Sequence, residues 1–108
     1  MPRYLIQASY NQSGISDLVH NPQDRAAVIR TVIERMGGTL ESFYYAFGDY
    51  DVVAIGEFPD NATAAALAMA VGSGGALRDY KTTVLMSMDE AIEAMRKAGG
   101  AGYRPPGG

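Results

Sequence analysis

Few side chains in this 108-residue sequence have the chemistry of a catalyst or a metal ligand. It contains one histidine, His20, together with seven tyrosines, scattered carboxylates and no cysteine. Without a thiol, the chain can form neither a disulfide framework nor a thiolate nucleophile or metal site. A catalytic metal site usually takes three protein ligands, and no such set surrounds His20 in the sequence. The sequence therefore predicts no metal site and no cofactor.

His20 itself has two interpretations. It stands beside Asn21 just before a predicted helix, where an exposed loop histidine needs no function. If it instead faced a pocket, its ordinary pKa of about 6.5 would suit it to carry protons, with Asp17 or Tyr10 as neighbours.

The second group of candidates surrounds a predicted hairpin turn, Gly48-Asp49-Tyr50-Asp51. A structural role accounts for this turn, because Gly48 can adopt positive φ and Asp49 is a good turn former. In the functional alternative, Tyr50 and Asp51 point into a cleft between subunits and orient a small polar ligand. The predicted ligand-binding residues are then Gly48, Asp49, Tyr50, Asp51, Tyr44, Tyr80 and Thr82, and the candidate acids or bases are His20, Asp51 and Tyr50.

An alternating series of strands and helices must position these residues. Strands are predicted over Arg3 to Ser9, Thr39 to Phe47, Tyr50 to Phe58 and Arg78 to Met86. Helices are predicted from an Asn21 cap to Met36, from Asp60 or Asn61 to Val71, and from a Ser87 capping box to Lys97. Gly37-Gly38 is predicted to terminate the first of them, because glycine readily adopts the left-handed conformation. This order predicts an α+β, ferredoxin-like βαββαβ sandwich with a four-stranded antiparallel sheet and an additional C-terminal helix. Residues 1–98 form one domain in this prediction, and residues 99–108 form a flexible tail rich in Gly and Pro.

Composition excludes several classes of function. A net charge of -3 and a pI near 4.9 provide no basic surface for nucleic acid. No run approaches the roughly 18 apolar residues that a membrane span requires. We therefore expect a cytoplasmic protein that binds neither nucleic acid nor membranes.

Both faces of the predicted sheet are apolar. In the second strand Tyr44 and Ala46 alternate with Tyr45 and Phe47, so neither set of alternate positions is polar. A sheet with one face in water alternates apolar with polar residues, and a large exposed apolar area usually marks an interface. The sequence thus predicts a homodimer or a higher homo-oligomer.

Two segments resemble the GYD domain family. They are Phe47-Gly48-Asp49-Tyr50-Asp51-Val52-Val53 and the run from Gly74 to Thr83, and the resemblance spans about residues 3 to 98. It implies a fold of the dimeric α+β barrel type, in a family that largely lacks an assigned activity. The chain is also similar, more weakly, to the ligand-sensing domain of Lrp/AsnC-type regulators, in which small effectors bind between subunits near this turn.

Three functions are consistent with these patterns. The first is a regulatory or sensing module that holds a small metabolite between subunits. The second, implied by the resemblance to dimeric α+β barrels, is a cofactor-independent enzyme that is monooxygenase-like or isomerase-like. The third is a structural subunit whose product is the oligomer itself.

Overall fold

Strands and helices alternate along residues 1–107, the part of the chain that the computed structural model describes. The strands are β1 (Arg3–Tyr10), β2 (Thr39–Tyr45), β3 (Val52–Glu57) and β4 (Leu77–Leu85). The helices are α1 (Gln12–His20), α2 (Arg25–Arg35), α3 (Asn61–Gly72) and α4 (Met88–Gly99). The strands form one antiparallel sheet in the order β2-β3-β1-β4. The predicted α+β, ferredoxin-like fold is confirmed.

The helices α2 and α3 pack on one face of the sheet. Tyr4 of β1 and Leu40 of β2 are buried there with Ile33 of α2 and Leu67 of α3. The Phe58 ring, just after β3, is completely buried and meets the Tyr4 ring edge to face at a centroid distance of 5.5 Å. Burying each large apolar side chain contributes about 1.5–3 kcal/mol, so this cluster is the main source of stability.

The short helix α1 was not predicted from the sequence, because serine and glycine at its start are poor helix formers. Tertiary contacts hold it in place. The Asn11 side chain accepts a hydrogen bond from the Gly14 N–H at 2.9 Å and donates one to the Gly75 carbonyl at 2.7 Å. The Asn11 N–H donates to the carbonyl of Ala76 at 2.9 Å, and Gly14 is buried against that residue.

The helix α2 begins later than predicted. Asp24 is its cap and accepts a hydrogen bond from the Ala27 N–H, so the prediction of a start at Asn21 was wrong. Asn21 instead ends α1, because its N–H donates to the Asp17 carbonyl at 2.9 Å. The predicted glycine termination is confirmed, with Gly37 at a φ of 85°.

The predicted strands leave only the two residues Gly48-Asp49 between them. The observed connection between β2 and β3 is longer and spans residues 46–51. It folds onto the end of β1, where the Asp51 N–H donates to the Ala8 carbonyl and the Asp51 carboxylate accepts from the Tyr10 N–H, each at 2.9 Å. The Asp51 carbonyl meanwhile accepts a hydrogen bond from the Ala46 N–H at 2.8 Å, which closes the loop at its base. Gly48 does not adopt the positive φ expected of it; within residues 1–107 that conformation occurs at Gly37, Gly75 and Gly102.

The helix α3 buries one side only. Asp60 caps it by accepting hydrogen bonds from the N–H and the hydroxyl of Thr63, and Ala64 and Leu67 face the core. Met69, on the other side, is exposed although the helix is apolar nearly all round. No helix among residues 1–107 combines the length and apolar character needed to cross a membrane.

The other face of the sheet, which we call the outer face, is not covered by any helix of the chain. Register pairs place Leu5 beside Ile55 and Tyr44 beside Val53 on this face. Leu5, Val53 and Ile55 are partly exposed, and the Tyr44 ring is 68% exposed. Gln7, Lys81 and Thr83 lie on the same face, since they pair with Val53, Gln7 and Leu5. One chain therefore leaves an apolar cluster, flanked by polar side chains, in contact with solvent.

The helix α4 extends away from the sheet and makes no extended contact with any other helix or strand. It begins at the predicted Ser87 capping box, which Glu90 completes. Met88, Ile92 and Met95 form an exposed apolar stripe along it. The radius of gyration is 17.5 Å, against about 13 Å for a compact domain of this length. The excess shows that α4 is an arm with an unpartnered apolar side.

We expect Gly14→Ala to lower the free energy of unfolding by about 1 kcal/mol. A Cβ at this position would collide with the Ala76 carbonyl oxygen, and such crowding costs about 1–3 kcal/mol. That cost exceeds the roughly 1 kcal/mol that alanine contributes over glycine in a helix. Urea unfolding followed by circular dichroism measures the change.

The matched control is Gly48→Ala, because no atom lies within 4 Å of a Cβ built at Gly48. A Gly14→Ala protein as stable as the wild type would contradict the close packing of α1 on the loop before β4.

Candidate functional site

A cavity of about 330 Å³ lies between α2, α3 and the sheet. Its helical walls are formed by Val28, Ile29, Val32, Leu67, Ala70 and Val71. Its floor is formed by Ile6, Ala8, Phe43, Val52, Ala54 and Tyr80. The cavity is open at the end of the sheet where Tyr10, Arg25, Gly74, Ala76 and Leu77 line it.

Small side chains at the centre of the floor leave this space open. Ala54 in β3 and Ala8 in β1 occupy the two middle strands. Phe43 in β2 lies opposite Ala54, and Tyr80 in β4 lies opposite Ala8. Opposite residues of antiparallel strands share a face, and Ala8 and Ala54 lie opposite Val52 and Ile6 across β1 and β3. The middle of the floor is therefore formed by two alanines and two aliphatic side chains, with an aromatic ring on each side.

Three polar side chains face the cavity among its apolar lining. They are the phenols of Tyr10 and Tyr80 and the guanidinium of Arg25, which belongs to the first turn of α2. The Tyr10 ring also lies near the Tyr45 ring, with centroids 6.5 Å apart. An apolar pocket with a few convergent polar groups is typical of a small-molecule site.

Both cavity phenols are protonated at neutral pH. Burial raises the pKa of Tyr80 to about 12, against a smaller opposing effect of the Thr82 hydroxyl. Burial also raises the pKa of Tyr10, and the hydrogen bond with Tyr45 acts in the same direction, while Arg25 opposes it. A phenol with a raised pKa donates a hydrogen bond but does not act as a base near neutral pH.

Three residues of the predicted turn site belong to the loop between β2 and β3 and stabilise or form it. Asp49 and Asp51 hold the loop to β1: the Asp49 carbonyl accepts from the Ser9 hydroxyl at 3.1 Å, and Asp51 bonds the Tyr10 amide. Gly48 is exposed in the same loop. These contacts give the loop a structural role without involving a ligand.

The other turn-site residues lie on different surfaces. Tyr44 is on the outer face, and the Tyr50 ring centroid is 5.5 Å from Lys81 Nζ. The Tyr50 hydroxyl raises the pKa of Lys81 through its hydrogen bond with the ammonium group. Tyr80 lines the cavity, whereas Thr82 lines a second, more open depression between α3 and β4. The structure therefore brings only Tyr80 of the predicted set into the cavity.

His20 lies at the exposed end of α1, outside the cavity lining. Its Nδ1 is 2.7 Å from the carbonyl oxygen of Ser16 in the same helix. That contact gives one ring nitrogen a hydrogen-bond partner within its own helix. Within residues 1–107 no three His, Asp or Glu side chains converge into a group that could hold a metal ion.

Two cavity residues were missed by the sequence analysis. Tyr10 entered it only as a possible neighbour of His20, and Arg25 did not enter it as a site residue. The signal that could have found the cavity is the alanine content of α3 and of the middle strands, since small side chains facing one another leave space.

The sequence model of the GYD domain matches residues 4–95, most of the chain. The chain belongs to the GYD domain family. The resemblance seen in the sequence is thus confirmed at the level of the family. No curated protein is similar enough to this GYD domain to count as a relative.

We expect this GYD domain to lose stability between about pH 10 and pH 12. Folded Tyr80 keeps its proton up to about pH 12, whereas an unfolded tyrosine releases it near pH 10. The unfolded state binds fewer protons across this window, so the free energy of unfolding falls as the pH rises.

Tyr80→Phe removes the titrating group and should make this loss smaller. The measurement is the free energy of unfolding of both proteins at about pH 9 and about pH 12. The same loss in both proteins would contradict a buried Tyr80 phenol.

Proposed function

We propose that this GYD domain is a self-associating module that binds a small, mainly apolar molecule in the cavity of each subunit. The observation that carries the proposal is the cavity itself. Its volume of about 330 Å³ is at the small end of the roughly 300–1,000 Å³ typical of ligand pockets.

The cavity is better explained as a ligand site than as a packing defect. Protein interiors are close-packed and contain few voids larger than a water molecule. An apolar cavity left empty also destabilises the fold, by about 24 cal/mol for each Å³ in buried sites. A bound molecule that fills the space between α2 and α3 would recover contacts that Ala54 and Ala70 are too small to make.

The polar groups favour binding over acid-base catalysis. Tyr10 and Tyr80 are kept protonated by burial, so they donate hydrogen bonds near neutral pH. His20 is outside the cavity. A site that fixes a ligand with donors and has no base suits a sensing or regulatory module.

Self-association is supported by two unpartnered apolar surfaces in the same chain. One is the outer face around Leu5, Val53 and Ile55, and the other is the stripe along α4. Stable interfaces between proteins bury on the order of 1,200–2,000 Å², which one helix of this length cannot supply alone. We propose that the outer faces of two copies pack together and that α4 extends this contact.

A second ligand site at the contact between copies is favoured by one observation. Tyr50 and Lys81 pair beside the loop 46–51, and an ammonium near a phenol suits a small polar metabolite. This site would lie in the cleft between subunits that the sequence predicts around Gly48 to Asp51, and it requires the self-association proposed above.

We expect a panel of compact apolar metabolites to contain compounds that raise the melting temperature of the wild-type protein. A ligand at 100 times its Kd adds about 2.7 kcal/mol of stability. Ala70→Phe, which places a ring in the cavity wall, should abolish the shift.

The matched control for the cavity is Ala66→Phe, on the same helix but outside the lining. Its response should equal that of the wild type. Binding in the cavity is ruled out if no compound shifts the wild type, or if Ala70→Phe responds as strongly.

We expect Ile55→Glu to convert an oligomeric wild type into a monomer, because the carboxylate would be desolvated at the centre of the outer face. Sedimentation velocity at several concentrations measures the mass of each protein. Ala66→Glu, an exposed change on α3, should keep the oligomer. A wild type that sediments as a monomer would contradict self-association.

A further inference from the structure

Arg25 is the charged side chain among the residues that line the cavity. Its Nη1 donates a hydrogen bond to the Gln23 side-chain oxygen at 3.0 Å, and its charge is near enough to the Tyr10 phenol to oppose the raised pKa of that group. The ion pairs formed within residues 1–107 involve Arg3 and Lys97, so no carboxylate of that part of the chain neutralises Arg25. A positive charge at the mouth of an apolar cavity therefore has no anionic partner there.

Tyr10 lies beside this charge. It lines the same end of the cavity, and its amide is fixed by the Asp51 carboxylate at 2.9 Å. The Tyr10 hydroxyl is already hydrogen-bonded to Tyr45. The guanidinium has five N–H donors and no acceptor, and the bond to Gln23 uses one of them. The remaining donors are complementary to an anion, and a guanidinium binds a carboxylate through two parallel bonds.

The rest of the cavity suits a flat apolar body. Ala8 and Ala54 form a shallow floor across the two middle strands, and Phe43 and Tyr80 border it. Neighbouring strands are about 4.8 Å apart, so the rings on β2 and β4 flank a floor that is wide enough for a fused pair of rings. The side chains of α2 and α3 above it are aliphatic.

We propose that the ligand of this cavity is a carboxylate with a compact, planar apolar body, and that Arg25 binds its carboxylate at the mouth, beside Tyr10. This inference rests on the proposed function, because it names the class of molecule that the cavity binds. The apolar body lies over the alanine floor, and the carboxylate supplies the anionic partner that Arg25 lacks.

The test compares 2-naphthoate with 2-naphthamide, a neutral molecule of nearly the same shape. Isothermal titration calorimetry of each against the full chain measures the two affinities. The wild type should bind the acid at least tenfold more tightly than the amide, since a hydrogen bond to a charged group contributes more than a neutral one. Arg25→Gln should weaken binding of the acid about tenfold and leave binding of the amide nearly unchanged.

Arg30→Gln is the matched control, because it removes the same charge from an exposed position of α2 outside the cavity lining. It should bind both probes as the wild type does. Arg25→Lys should give an intermediate affinity for the acid, since lysine keeps the charge and loses the paired donors. Circular dichroism and thermal unfolding verify that each variant is folded.

The outcomes separate this inference from the proposed function. Equal affinity for the two probes overturns the carboxylate assignment and leaves a ligand-binding cavity in place. An Arg25→Gln protein whose binding of both probes weakens equally has the same consequence. The carboxylate assignment is also wrong, with the ligand-binding cavity retained, if neither probe binds while a neutral compound of the metabolite panel does. If neither the probes nor any panel compound binds, both the assignment and the proposed function are wrong.

Discussion

The contact between Phe58 and Tyr4 is the constraint on which the arrangement of the helices depends. These two rings fill one end of the space between sheet and helices, and the Tyr4 hydroxyl donates to the Asn61 side chain at 2.6 Å at the start of α3. Ile33 and Leu67 close around the same point. The helices are therefore held to the sheet at this end. At the other end Ala8, Ala54 and Ala70 leave space among the larger lining side chains, and the cavity lies there.

The polar side chains that line the cavity decide what chemistry it can perform. The polar groups at its open end are two phenols kept neutral by burial and one guanidinium. Such groups can bind and orient a molecule, but they cannot remove a proton near neutral pH. The residue best suited to that role, His20, is turned toward its own helix. The proposed function therefore assigns these groups to the binding and orientation of a ligand.

The outer face and α4 present the same physical problem at the surface of the chain. An apolar sheet face in water is costly, and an amphipathic helix with no contact of its own gains little from being ordered. A second copy offers both surfaces a complementary partner without requiring another protein. The proposed association would place Tyr44 and Tyr50 near the contact between the copies. The cavity lies on the opposite side of the sheet, so each subunit would keep its own ligand site.

The sequence by itself determined the order of the four strands and of α2, α3 and α4, the capping box at Ser87, the glycine termination at Gly37 and the apolar inner face of the sheet. These follow from local periodicity and local hydrogen bonds, which neighbouring residues encode directly. Only the tertiary structure decided the rest. The helix α1 exists because of contacts with the distant loop before β4, and Arg25 comes near Tyr10 only when α2 packs on the sheet. The cavity depends on the spacing of two helices over the sheet, and no local pattern records a distance between segments that are far apart in the chain.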